Sequence, residues 1–144
     1  MIEDDTIKLL RVCDSGVKMG ISSIQDVLGE KGSGSLDEIL HKSMEEHEKL
    51  DREIQKILGE YHDDGKDPNP VVKGMSWVKT NMKLAMDHSD AAIADLMTDG
   101  CNMGVKSLRK YLNQYPAAEK RVKKIAEDLI HTEETMTKEM QQYL

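Results

Sequence analysis

The sequence predicts an all-α fold, an antiparallel four-helix bundle made of two repeated helix pairs with a short helical crossover, and three observations predict it. The first is composition. The chain has ten Met, one Trp and no Phe, so a core must be assembled from Leu, Ile, Val, Met and Ala, which suit helices better than sheets. The second is periodicity: apolar residues recur at steps of three and four along four long stretches, the spacing that keeps one stripe of a helix facing its neighbours. The third is an internal repeat. With 144 residues, 38% hydrophobic and 33% charged, the chain has the make-up of one amphipathic globular domain spanning residues 1–144.

The first helix is expected over about 6–28, with the seam Ile7, Leu10, Asp14, Val17, Ile21, Ile24, Leu28. Asp14 is a polar intruder on that stripe. Gly29 to Ser35 then breaks the pattern with three glycines, which supply turn geometry. The second helix is expected over about 36–61, opened by the capping box Ser35-Leu36-Asp37-Glu38 and carrying the seam Leu36, Ile39, Ser43, His47, Leu50, Ile54, Leu58. A shorter periodic stretch over 71–86, holding Trp77, reads as the crossover helix. Ser89 or Asp90 caps the next helix, about 90–113, whose seam runs Ala91, Ala94, Thr98, Cys101, Val105, Leu108, Leu112. Pro116 suits the first turn of the last helix, about 116–143, with the seam Val122, Ile125, Leu129, Glu133, Met136, Met140, Leu144.

The first and third helices repeat one another at an offset of 84, where Gly16, Met19, Gly20 and Ser23 fall on Gly100, Met103, Gly104 and Ser107. The second and fourth repeat at an offset of 86, where Leu36, Ile39, Leu50, Ile54 and Leu58 fall on Val122, Ile125, Met136, Met140 and Leu144. A glycine inside a helix costs about 1 kcal/mol relative to Ala, so four glycines at paired positions need a reason. Gly16 and Gly20, and Gly100 and Gly104, are expected to be close-contact faces at which the first and third helices meet. Asp14 and Thr98 are repeat-equivalent and are expected to form a polar layer inside the bundle.

A net charge of −7 with no basic run excludes a phosphate-binding face, hence no nucleic acid is expected as a partner. No apolar run approaches the roughly 18 residues of a membrane span, and the acidic start MIEDD lacks the apolar region of a signal peptide. A cytoplasmic protein with reduced Cys13 and Cys101 is expected. No nucleophile elbow, phosphate loop, HExxH or dinucleotide fingerprint occurs.

The crossover GMSWVKTNMKLAM, the following SDAAIADLMTDGCNMGVKSLRKYL and the DSGVKMG stretch of the first helix resemble the ferritin-like superfamily, in particular a small bacterial branch of unknown function with a Trp-containing segment before the third helix. The resemblance covers nearly the whole chain. It implies a di-metal site with a Glu on each of the first and third helices and Glu-x-x-His on the second and fourth. By seam position those ligands fall on Val17, Cys101, the pair Met44 and His47, and the pair Ile130 and Glu133. Only His47, Glu133 and Cys101 among the six can hold a metal, and only Glu133 supplies a carboxylate, too few to offset two divalent cations in a dry core. No cofactor is therefore expected; a vestigial or atypical mononuclear site for iron or another divalent metal at His47, Glu133 and Cys101, with oxidoreductase-type chemistry, is the alternative. A metal-free reading pairs His47 with Glu133 through a hydrogen bond. Cys101 reads as a small buried hydrophobe and the methionines as core filler. The expected role is non-enzymatic association, with a homodimer formed through outer helical faces.

Overall fold

The computed structural model describes residues 2–28, 34–63 and 89–144. Four α-helices and no strand are found among them: α1 Ile2–Leu28, α2 Gly34–Glu60, α3 Asp90–Gln114 and α4 Lys120–Met140, with a 3-10 turn over Gln141–Tyr143. The protein is an all-α four-helix bundle. The crossover expected over 71–86, with Trp77, and the glycine turn at 29–33 lie outside the described residues.

Contacts at the helix ends fix the topology. The Ala117 and Glu119 N–H groups, just after α3, donate to Asp5 Oδ2 (3.0 Å) and Thr6 Oγ1 (2.8 Å) at the start of α1. At that same pole Arg11 of α1 holds Asp63, just past α2, through Nε at 2.7 Å and Nη2 at 3.1 Å. The ends of α2 and α3 therefore share one pole with the start of α1, and α2 runs parallel to α3. Each is antiparallel to its own hairpin partner.

Two helix starts differ from the periodicity. α1 begins at Ile2, four residues before the start at about residue 6 that the seam suggests, because Glu3, Asp4 and Asp5 fill its first turn and suit the positive end of the helix dipole. α4 begins at Lys120 and Pro116 lies in the preceding turn. The backbone donors of Ala117 and Glu119, in this preceding turn, are held by Asp5 and Thr6 of α1. Ser35 also lies one residue inside α2, where its hydroxyl accepts from Tyr143 (2.6 Å). Ser89 caps α3 as expected, its side chain accepting from the Ala92 N–H.

The core falls into two lobes along the bundle axis. The lobe near the start of α1 is built from residues such as Leu9, Leu10, Val17, Leu50, Ile54, Leu58, Val122 and Leu129. The other contains Ile24, Leu36, Leu40, Ile93 and the methionines Met44, Met97, Met136 and Met140. Each fully buried aliphatic adds about 1.5–3 kcal/mol of transfer free energy. His47 and Glu133 sit between the lobes. No described helix is long and apolar enough to cross a membrane.

Candidate functional site

All six positions equivalent to metal ligands face inward: Val17, Met44, His47, Cys101, Ile130 and Glu133 are buried. Glu45, Glu46, Glu48 and Glu134, the nearby acids, are exposed. At the centre His47, fully buried, meets Glu133, 7% exposed, with Nε2 to Oε1 at 2.8 Å. The other ring nitrogen, Nδ1, lies 2.7 Å from the Ser43 carbonyl one turn earlier in α2.

That geometry fixes the protons. A carbonyl oxygen only accepts, so Nδ1 carries a hydrogen and donates it to Ser43. The contact between Nε2 and the carboxylate then needs one more proton, shared across the pair. Burial works against a charge on His47, but the hydrogen bond to Glu133 and its field, the Ser43 carbonyl and the field of Glu46 outweigh it. The His47 pKa is raised, and the pair is an imidazolium donating to a carboxylate.

Two glycines make room for it. A Cβ at Gly20 would stand 2.5 Å from both His47 Cδ2 and Nε2 and 3.5 Å from Glu133 Oε1. A Cβ at Gly104 would stand 3.8 Å from Glu133 Oε2. Gly16 faces Leu129, 3.4 Å away. Each of Gly16, Gly20 and Gly104 has a side chain from α2 or α4 opposite it, because a missing side chain on one helix is filled from the helices packed beside it. Gly100 is half-buried in α3. Gly16 and Gly104 do share the walls of a narrow crevice, with Met19 and Ser107, that reaches Glu133.

Asp14 and Thr98, the repeat-equivalent polar positions, both place polar atoms in the interior. Asp14 is buried and accepts from Gln55 Nε2 of α2 (2.8 Å) and Lys18 Nζ (2.9 Å). Thr98 Oγ1 is buried with no hydrogen-bond partner among the described residues. Asp14 and Thr98 share no hydrogen bond with each other, and His47 and Glu133 form a further buried polar pair. These two are themselves repeat-equivalent, at the offset of 86 that relates α2 to α4.

Cys101 lies beside the pair. Burial, then the field and hydrogen bond of Glu133, push its thiol well above the ordinary range, with Thr137 opposing. Burial, with Asp14 adding, pushes Cys13 up to about 12. Both thiols are poor nucleophiles, since the thiolate is the reactive form. His41, His62 and His131 are exposed; His88 lies outside the described residues. Among the described residues no three His, Cys, Asp or Glu side chains converge as a metal-ligand set. The groups at the centre do not fit a di-metal site: they supply one carboxylate, and it already accepts from His47. The role of Ser43 was not assigned from sequence; its place one turn before a seam histidine was the available signal.

The arrangement defines a four-helix bundle with a self-satisfied polar centre. A solved structure with this fold is that of a DUF305 fragment from Deinococcus radiodurans, similar with a TM-score of 0.72 over 96% of this chain and 93% of that one, at 11% identity. At that identity the likeness is one of fold. No family model matches the sequence, and no curated protein matches it.

Proposed function

We propose that the chain is a ferritin-like bundle whose di-metal ligand set has been replaced by a closed hydrogen-bonded pair, and that it acts by association, as a cytoplasmic homodimer, rather than by catalysis. The observation that carries this reading is the His47–Glu133 pair: Nε2 to Oε1 at 2.8 Å, with Nδ1 committed to the Ser43 carbonyl. A carboxylate bound in this way satisfies the centre without an ion. Removing it to a metal would leave His47 buried without its counter-charge, at a cost of several kcal/mol. The raised Cys101 thiol adds no second anionic ligand. With no reactive group free at the centre, the surface is left to carry the role, and Met103, 46% exposed on α3, is an apolar element of that surface.

Two measurements test it. Untagged protein, purified without chelators, is expected to hold far less than one iron, manganese or zinc per chain by elemental analysis; a near-stoichiometric content overturns the metal-free reading. Sedimentation equilibrium is expected to give twice the chain mass, and a monomer at all concentrations removes the homodimer.

A further inference from the structure

A seam position normally carries an aliphatic side chain, but α2 places Ser43 between Ile39 and His47. On α4 the facing residues include Thr132 and Thr135 beside Met136. Small side chains where Leu or Ile would interdigitate leave a gap, and a groove of about 180 Å³ opens between the two helices. Its floor is Ile39, Met136 and Ser43, the last only 7% exposed. The Ser43 hydroxyl is little committed. Its one recorded contact is His47 Nδ1 at 3.4 Å, and that nitrogen already donates to the Ser43 carbonyl at 2.7 Å.

The rim carries both signs of charge. Ser35 meets Tyr143 and His47 meets Glu133 across the antiparallel helices. Lys42 and Glu139 therefore share one end of the groove, and Glu46 and His131 the other. Among the described residues none of these four enters an ion pair. Lys42 and Glu46 are one turn apart on the same helix, a pairing that exposed helices commonly make, and here both remain available to a third group.

We propose that this groove binds a small zwitterion with an aliphatic body, the chemistry of an apolar amino acid: the aliphatic part on Ile39 and Met136, the carboxylate toward Lys42, the ammonium toward Glu46, and the Ser43 hydroxyl on whichever polar atom lies deepest. Most ligand sites combine an apolar floor with a few placed polar groups in this way. The groove lies on the outer side of Ser43 and adjoins the pair through the Ser43 carbonyl that takes the His47 Nδ1 proton and through the field of Glu46.

The test is titration of isotope-labelled full chain with leucine, isoamylamine and isocaproate, followed by amide and methyl NMR shifts. Leucine is expected to move the signals of Ser43, Thr135 and Met136 saturably, and each analogue lacking one charge is expected to bind about tenfold more weakly. Ser43→Leu fills the floor and is expected to abolish the shifts. If that variant fails to fold, the exposed Lys42→Ala and Glu46→Ala carry the test, each costing about tenfold for leucine. Absence of saturable shifts with leucine overturns the proposal. So does equal binding of the singly charged analogues, or leucine binding unchanged by Lys42→Ala and Glu46→Ala.

Discussion

The two lobes of the core bury their side chains equally well but are held differently. The lobe near the start of α1 is aliphatic and its end is stapled: Thr6 takes the Glu119 N–H, Tyr61 donates to Glu119 at 2.6 Å, and Arg121 reaches Glu119 and Glu60. Tyr111 and Tyr115 stack beside it. The other lobe relies on methionines, with Tyr143 to Ser35 as a tie between α2 and the chain end. Branched aliphatics in fixed rotamers specify one packing, whereas unbranched thioethers fill irregular space and tolerate exchange. The buried His47–Glu133 pair lies between them.

The largest effect is expected from breaking that pair. His47→Ala leaves the buried Glu133 carboxylate without its counter-charge, with only the neutral Cys101 thiol beside it, and should cost about 3–5 kcal/mol in urea unfolding. The same pair sets a pH dependence. Because the folded His47 pKa is raised, its stabilisation is complete below the ordinary imidazole value of about 6.5 and is lost as pH rises through the folded value. Glu133→Gln should reverse the sign. A neutral imidazole can accept from the Gln amide, burial then disfavours its charge, and stability should fall on acidification instead. Unfolding midpoints from pH 5 to 9 decide between these slopes; a Glu133→Gln protein that keeps the native slope would refute the assignment.

Next in size is a direct comparison of the lobes. Ile54→Ala in the aliphatic lobe should cost about 2–5 kcal/mol, while Met97→Leu in the other should cost less than about 1.5 kcal/mol. Equal losses would show that the methionine lobe is as tightly specified as its neighbour. Thermal or urea denaturation measures both.

The glycines sharpen the picture further. Gly20→Ala drives a methyl to 2.5 Å from an imidazole fixed at both nitrogens, and about 1–3 kcal/mol of destabilisation is expected. Its repeat partner has space: at 3.8 Å from Glu133 Oε2, Gly104→Ala should be tolerated and should gain about 0.4–1 kcal/mol from reduced chain entropy. Similar effects at both sites would deny that only one glycine is reserved for the pair. The smallest change is Thr98→Val, which removes an unpartnered buried hydroxyl and should raise stability by up to about 1 kcal/mol; a clear loss would mean the hydroxyl is bonded.

Much of this was legible in the residues. The steps of three and four gave four helices, with ends within three residues of those found except at the starts of α1 and α4. Those two starts escaped for different reasons. The acids at 3–5 were a local signal in favour of an early start for α1, whereas the turn before α4 is tied by hydrogen bonds to a helix more than 100 residues away, which no local pattern encodes. The nearness of His47 to Glu133 could be inferred from the seams, because both hold the same place in repeated helices. What faces the glycines could not, since the occupant of a gap is decided by how four helices settle together. Asp14 and Thr98 share a repeat position, yet Asp14 finds Gln55 only through the particular rotation of α1 against α2.

That His47 and Glu133 hold corresponding places in the two halves has a consequence for how such a molecule can be assembled. Two identical half-chains brought together about a symmetry axis would set like against like there, imidazole facing imidazole or acid facing acid, and neither couple could share a proton on these terms. The bond at the heart of the bundle is available only to unlike halves, so joining them in one polypeptide guarantees the correct match each time the chain folds.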